Sequence, residues 1–191
     1  LLRAPWCARQ PDPAAIFHYL NFACIPAPLT IVPGVRRLPP ASLLRWQAGK
    51  VDVQRWWRPP YDEDLDGDAD TLAADLREHL VATVQRYRPV GSDWGCFLSG
   101  GTDSSSVTTI LARQHPAERV HSYSIGFAEA GFDELDFARI AAEACGAHGH
   151  CGRLDEAETL AVLPRLTELF DQPFGNASAV PTRACAALAA L

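Results

Sequence analysis

The feature that most constrains this chain is the segment Ser99-Gly100-Gly101-Thr102-Asp103-Ser104, called here the Ser99–Ser104 loop. The apolar run Gly95-Cys96-Phe97-Leu98 precedes it and is typical of a strand buried on both faces of a sheet. Val107, Ile110 and Leu111 follow it at helical spacing. A strand, a turn through two glycines and a helix therefore occur in the order expected of one half of a strand–helix–strand unit.

The same alternation continues on both sides of the loop. Residues 119–127 alternate as a second strand. Helical spacing occurs twice more, in the sets Leu72, Leu76, Leu80, Val84 and Leu135, Ala138, Ala142, Cys145. The earlier helix runs to about Arg88 before a break at 89–92, and the later one begins near Asp133 and stops at Gly146. These elements predict the α/β class, with a parallel sheet and flanking helices.

The chemistry of the Ser99–Ser104 loop indicates phosphate binding. Its glycines let a ligand approach the backbone, and its amide N–H groups lie at the positive end of a helix. The carboxylate of Asp103 would repel phosphate unless a cation lay between them, so Asp103 is a candidate Mg²⁺ ligand. The loop matches neither a Walker A motif nor a dinucleotide fingerprint. The alternative is a strand-to-helix turn whose glycines serve only geometry, and the α/β context favours the phosphate-binding interpretation.

The first 58 residues differ in texture, being rich in proline and aromatic residues. Asp12-Pro13 predicts a short helix to Leu20, and 42–46 and 51–56 predict a hairpin about a Gly-containing turn. We expect the paired Trp56-Trp57 to be buried. The acidic stretch 58–70 lacks the residue order of a calcium loop and is interpreted as a solvated linker.

Composition excludes several function classes. A net charge of −6 without a basic run argues against nucleic acid as a partner, and no apolar stretch approaches the length of a membrane span. Six scattered cysteines are interpreted as reduced thiols of a cytoplasmic protein. The cluster Cys145, His148, His150, Cys151 favours a helix end followed by a strand over a zinc site. The lack of any Met predicts a piece of a longer chain.

Several segments, taken in order, resemble the glutamine-hydrolysing asparagine synthetases. The resemblance rests on Cys96–Ser105, on Ile31–Pro40, on Ser122–Phe127, on Phe132–Glu134 with Phe137–Arg139, and on Asp171–Ala179. It implies an adenine nucleotide alpha hydrolase-like (PP-loop) fold, preceded by a β-hairpin-containing remnant of an N-terminal nucleophile glutaminase domain. The implied domains are the remnant at 1–58, a linker at 59–70 and the first part of a synthetase domain at 71–191.

The resemblance also implies the reaction and its participants. ATP with Mg²⁺ would activate the side chain of aspartate, or of a related carboxylate, as an acyl-adenylate that glutamine-derived ammonia attacks. Carried over by position, the residues of the cofactor site are Leu98, Ser99, Gly100, Gly101, Asp103, Ser104, Ile125 and Gly126, with Asp103 also on Mg²⁺. No catalytic residue is assigned, and a homodimer stays open.

The chain also departs from this family's pattern. Nothing in this segment, whose first residue is Leu, corresponds to the family's glutaminase nucleophile, so we expect this segment not to generate ammonia. The family's second Gly-rich loop does not occur before Leu191. Thr102 replaces an aliphatic residue, and Gly149 and Cys151 flank a retained His150 where the family has His-His-Glu. We therefore expect this segment alone to be inactive. The alternatives are a paralogous amidotransferase or β-lactam synthetase-like enzyme acting on another carboxylate, and a non-catalytic nucleotide-binding module.

Overall fold

The protein is described here from a computed structural model, in which residues 2–61, 67–88, 90–91, 94–115, 120–129, 131 and 133–191 are described. The described elements, in chain order, are α1 Pro13–Phe22, β1 Ser42–Gln47, β2 Lys50–Arg55, α2 Ala69–Arg86, β3 Gly95–Phe97, α3 Thr102–Gln114, β4 His121–Phe127, α4 Leu135–Cys145, β5 His148–Leu154, α5 Glu156–Leu169 and α6 Ala179–Ala189. They form two compact units, Leu1–Leu65 with Pro164–Asn176, and Asp66–Leu163 with Ala177–Leu191.

The first unit contains the predicted short helix and hairpin. Asp12 caps α1, because its carboxylate accepts a hydrogen bond from the Ala14 amide at 2.9 Å. Strands β1 and β2 pair antiparallel, with Gln47 opposite Lys50. Only two residues connect them, and both have positive φ, Ala48 at +49° and Gly49 at +79°. This backbone is typical of the tight turns whose twist matches that of the paired strands, so the predicted hairpin is confirmed.

The expectation that Trp56 and Trp57 are buried is wrong. Their side chains are 71% and 49% exposed. The physical reason is the small number of layers in this unit, since a two-stranded hairpin offers too little apolar surface to enclose large rings that follow its second strand.

The second unit is built on a parallel sheet of three described strands in the order β3-β4-β5. Cys96 lies opposite Ser122, and His121 lies opposite His148. Buried and half-buried residues alternate along β4, with Ser122 and Ser124 among the buried ones. The predicted α/β class, with a parallel sheet and flanking helices, is therefore confirmed.

Helix α4 packs on the sheet through the apolar face that its spacing predicts. Leu135, Ala138 and Ala142 are all buried. The helix ends at Cys145 and is capped by Gly146, whose φ of +71° is that of a glycine cap. Helix α6 contacts β4 and β5, and its Cys185 thiol donates a hydrogen bond to a β4 carbonyl at 3.2 Å.

Two burial predictions for this unit are wrong in part. Helix α2 forms where expected, but of its predicted apolar face only Val84 is fully buried, and Leu76 is 69% exposed. Val84 packs with Cys96 and Leu111 in a small core cluster. Strand β3 is buried on one face only, because Cys96 is enclosed whereas Phe97 is 48% exposed. Helical or strand periodicity identifies an apolar face without showing whether another element covers it.

Parts of some predictions lie outside the described residues. These are 62–66 of the predicted linker, Pro89 and Ser92 of the predicted break, Arg119 of the second strand, and Phe132 of one resembling segment. No described helix combines the length and apolar character needed to cross a bilayer.

Candidate functional site

The Ser99–Ser104 loop connects the end of β3 to the start of α3, as the sequence predicts. Gly100 has a φ of +84°, a conformation that L side chains rarely adopt. A Cβ placed on Gly100 would lie 2.5 Å from the carbonyl carbon of Phe137 and 2.7 Å from the Ala138 amide nitrogen, both in α4. Gly101 is different, with a φ of −69° and only the Ser99 hydroxyl near its missing Cβ. Gly100 is therefore fixed by both its backbone angle and the close approach of a helix.

Ser99 and Ser104 close the loop on itself. The Ser104 hydroxyl accepts from the Ser99 amide at 3.2 Å and donates to the Gly101 carbonyl at 3.2 Å. The two hydroxyl oxygens are 3.1 Å apart, and the Ser99 hydroxyl also accepts from the Gly101 amide at 3.3 Å. With Ser104 donating to the carbonyl, the Ser99 hydroxyl is left as the donor between the two side chains. The serines thus hold the turn in shape.

The first turn of α3 retains free backbone donors. The helix has no side-chain cap, and the Ser105 amide is the first to bond backward, to the Gly101 carbonyl at 3.0 Å. The amides of residues 102–104 consequently have no acceptor among the described residues, as expected for an uncapped helix start. The Ser105 hydroxyl is also buried without a partner in the described part of the chain. Free amides at a helix start are chemically suited to an anionic ligand.

The strand side of the site is anchored to β4 through Leu98. Its amide donates to the Tyr123 carbonyl at 3.0 Å, and its carbonyl accepts from the Ser124 hydroxyl at 2.6 Å. The Leu98 side chain is 2% exposed. Both of its backbone groups and its side chain are thus engaged within the protein, and its assignment to the adenine nucleoside stays a prediction.

Ile125 and Gly126 lie near the carboxyl end of β4. Ile125 is half-buried, whereas Gly126 is buried against the start of α4. A Cβ on Gly126 would meet the Asp133 carboxylate and lie 2.5 Å from Cγ of Leu135. Asp133 in turn accepts from the Leu135 amide at 3.2 Å and from the Arg153 guanidinium at 2.6 Å. Close packing explains the glycine, and its role toward a cofactor stays a prediction.

Asp103 occupies the first turn of α3 and is exposed to solvent. Among the described residues no group of three or more His, Cys, Asp or Glu side chains already stands in a metal-binding arrangement. Asp103 would therefore be a single protein ligand, which is how Mg²⁺ is commonly held when substrate phosphates and water supply the other oxygens. The residues present fit ATP with Mg²⁺ on this account.

Some supporting residues could not be found from the sequence. Thr108 is fully buried in α3 and its hydroxyl donates to the Ser104 carbonyl at 2.8 Å. Ser124, which holds Leu98, and Arg153, which holds Asp133, each come from a different strand. For Ser124 the sequence signal is a small polar residue within a predicted strand, and that pattern does not identify its partner.

Known proteins resemble this chain along most of its length. Residues 75–190 match the family profile described as asparagine synthase. The chain is 26% identical over 171 residues to "Asparagine synthetase [glutamine-hydrolyzing] 1" of Bacillus subtilis (strain 168), covering 89% of this chain and 27% of that protein. It is 30% identical over 174 residues to a "Putative asparagine synthetase [glutamine-hydrolyzing]" of Mycobacterium tuberculosis (strain ATCC 25618 / H37Rv), covering 89% and 26%.

An archaeal relative gives the same result. The chain is 26% identical over 171 residues to "Putative asparagine synthetase [glutamine-hydrolyzing] 2" of Methanocaldococcus jannaschii, covering 88% of this chain and 33% of that protein. The chain thus spans a quarter to a third of the length of these curated relatives. The matched profile covers well over half of the residues and includes the whole Ser99–Ser104 loop. This chain therefore belongs to the asparagine synthase family.

Proposed function

We propose that the Ser99–Ser104 loop binds the phosphates of ATP. The observation that carries this proposal is the set of free amide donors at 102–104, which follow a glycine turn at the carboxyl end of a parallel strand. Oriented amides at a helix start favour phosphate oxygens, and the turn presents them without a Cβ in the way. The internal bonds of Ser99 and Ser104 keep these donors in place before the ligand arrives, which reduces the entropy lost on binding.

The metal in this proposal is held by Asp103. Mg²⁺ would screen the repulsion between the Asp103 carboxylate and the phosphates, and it would neutralise charge that develops as pyrophosphate leaves. The part played by this chain is to orient the phosphates through its amides and to place one carboxylate beside them. The fold in this proposal is of the PP-loop type, with 1–58 as part of a glutaminase-type domain, 59–70 as the linker and 71–191 as the first part of a synthetase domain.

At the level of the family, the matches support an amide-forming synthetase. The finer proposal is that the complete protein is an AMP-forming ligase, which activates aspartate through an acyl-adenylate and uses glutamine-derived ammonia. We propose in addition that the complete protein is cytoplasmic and that this segment is inactive when it is isolated. The second candidate function is that of a paralogue acting on another carboxylate. It is supported by Gly149 and Cys151, which differ from the residues that the family has at these positions.

The test is to measure ATP binding by the 191-residue chain with calorimetry, once in the presence and once in the absence of Mg²⁺. Asp70 provides a matched control, because it is also an exposed acid in the first turn of a helix. Asp103→Asn should weaken Mg²⁺-dependent binding by about tenfold, or about 1.4 kcal/mol, and leave metal-free binding equal or stronger, since a repulsive charge is removed. Asp70→Asn should change neither. Equal Mg²⁺ dependence in Asp103→Asn and the parent chain would show that Asp103 does not hold the metal.

A further inference from the structure

Three histidines lie together at the amino end of the sheet, away from the Ser99–Ser104 loop. His121 is the first residue of β4, and His148 is the first residue of β5. They lie opposite each other in the parallel register, and His150 follows two residues later on β5, opposite Tyr123. Because side chains alternate along a strand, all four project from the same face of the sheet. His148 and His150 are exposed and His121 is half-buried, so the histidines are accessible from solvent.

The imidazoles are close enough to share a ligand. Nδ1 of His121 and Nε2 of His150 are 2.9 Å apart. The ring centroid of His121 is 5.1 Å from that of His150 and 5.4 Å from that of His148. The Tyr123 ring stacks on His150 with centroids 4.9 Å apart and closes one side of the group. His121 is therefore the central member of the cluster.

These spacings are those of imidazoles around one metal ion. With zinc–nitrogen bonds of about 2.0–2.1 Å, two nitrogens on a tetrahedral ion are about 3.3 Å apart and their ring centroids about 5 Å apart. The nitrogens of His121 and His150 would need to separate by only about 0.4 Å. The strand positions, two histidines at i and i+2 with a third on the neighbouring strand, also allow three rings to reach one point.

The rings are not yet oriented as ligands. Nδ1 of His121 and Nε2 of His150 face each other in a hydrogen bond, so these two nitrogens are directed at one another and not at a common ion. This agrees with the lack of a ready metal-binding group among the described residues. An ion would replace the hydrogen bond between His121 and His150, and the turn of each imidazole about its Cβ–Cγ bond adds little cost because that torsion is broad. Exposed His148 and His150 have room for this rotation at the surface.

We propose that His121, His148 and His150 form a binding site for a first-row divalent transition-metal ion such as Zn²⁺. Imidazole nitrogen is a preferred donor for zinc, copper and nickel and a poor one for Mg²⁺, so this site is chemically distinct from the proposed Asp103 position. Three protein ligands leave a fourth position for water or another small ligand. The ion would cross-link β4 to β5 at the end of the sheet opposite the Ser99–Ser104 loop.

The neighbouring thiols do not belong to this site. Cys151 follows His150 directly and therefore projects from the opposite face of β5. Cys145 ends α4, and its thiol donates to the Ala142 carbonyl at 3.4 Å. The two cysteines of the set Cys145, His148, His150, Cys151 therefore lie apart from its two histidines. The predicted helix end followed by a strand is confirmed in this segment. The third ligand, His121, comes instead from 27 residues before His148.

The test is direct metal binding to the 191-residue chain. Zn²⁺ should bind one ion per chain in calorimetry, and Co²⁺ should develop the visible absorption bands of a tetrahedral nitrogen site. His121→Gln and His150→Gln should each weaken Zn²⁺ binding by at least about tenfold, since even the loss of a supporting outer contact commonly costs that much. His79→Gln is the matched control, because His79 is an exposed histidine on α2 that bonds the Asp75 carbonyl.

Several outcomes would overturn this assignment. The first is that the chain binds no Zn²⁺ even at millimolar concentration. The second is that His79→Gln loses as much affinity as the cluster variants, which would indicate diffuse binding by surface histidines. Far-UV circular dichroism must show each variant folded, and the exposed His148→Gln replaces His121→Gln if the latter is not. Binding of Mg²⁺ and ATP should be unchanged by these variants, so failure of the zinc site leaves the proposed ATP site untouched.

Discussion

Replacing Gly100 by alanine tests whether the Ser99–Ser104 loop is as constrained as its geometry indicates. The residue combines a φ of +84° with a Cβ direction that runs into the backbone of α4, where the closest atoms lie at 2.5–2.7 Å. Neither problem can be relieved by a side-chain rotation, because two of the three closest atoms belong to the α4 backbone. The substitution therefore strains the loop and pushes α4 away from it.

The magnitude follows from these two costs. An L residue in the left-handed region costs about 1–2 kcal/mol. Forcing a methyl group into a closed contact adds about 1–3 kcal/mol. We expect Gly100→Ala to lower the free energy of unfolding by about 2–5 kcal/mol, which for a chain of this size corresponds to a fall in Tm of about 4–20 °C.

The measurement is urea unfolding by circular dichroism, with hydrogen exchange of the β4 amides reporting on the second unit alone. Gly101→Ala is the neighbouring control, because its φ is −69° and its Cβ would meet only the Ser99 hydroxyl at 3.3 Å. This variant should stay within about 1 kcal/mol of the parent. If Gly100→Ala and Gly101→Ala unfold at the same urea concentration, the conclusion that α4 lies in close contact with Gly100 is wrong.

Three further predictions concern other parts of the chain. Hydrogen bonds from the start of α2 hold the pKa of Asp68 below its ordinary 3.8, so its contribution to stability is present above that pH and is lost as pH falls through the lowered pKa. The Tm difference between the parent and Asp68→Ala should therefore be full at neutral pH and vanish in strong acid. Burial raises the pKa of Cys185 to about 11, so iodoacetamide at pH 8 should alkylate exposed Cys151 and spare Cys185 in the native protein. Equal alkylation rates of the two thiols, measured by peptide mass spectrometry, would contradict the burial of Cys185. Gly126→Ala should lower the free energy of unfolding in urea by about 1–3 kcal/mol, because the added Cβ meets the start of α4. Gly149→Ala is the control and should change this free energy little, because the atom nearest to its added Cβ is 3.6 Å away.

Local features of the chain were predictable from the sequence because their causes are local. The glycine turn after β3, the Gly-containing turn of the hairpin and the glycine stop after α4 each depend on residues within a few positions of one another. The position of Asp103 in the first turn of α3 follows from the same short-range pattern. The phosphate-binding interpretation of the Ser99–Ser104 loop also rests on this local order of strand, turn and helix, and its assignment to a cofactor stays a prediction.

Burial and partnership were decided by tertiary structure. Periodicity placed Leu76 on an apolar helix face, and the large aromatic ring of Trp56 favoured its burial. Both are exposed, because an apolar residue is buried only where a second element covers it. The need for glycine at position 100 depends on α4, which lies more than 30 residues later. The histidine cluster depends on the register between β4 and β5, since His121 and His150 are 29 residues apart and meet only because two parallel strands pair with their amino ends side by side.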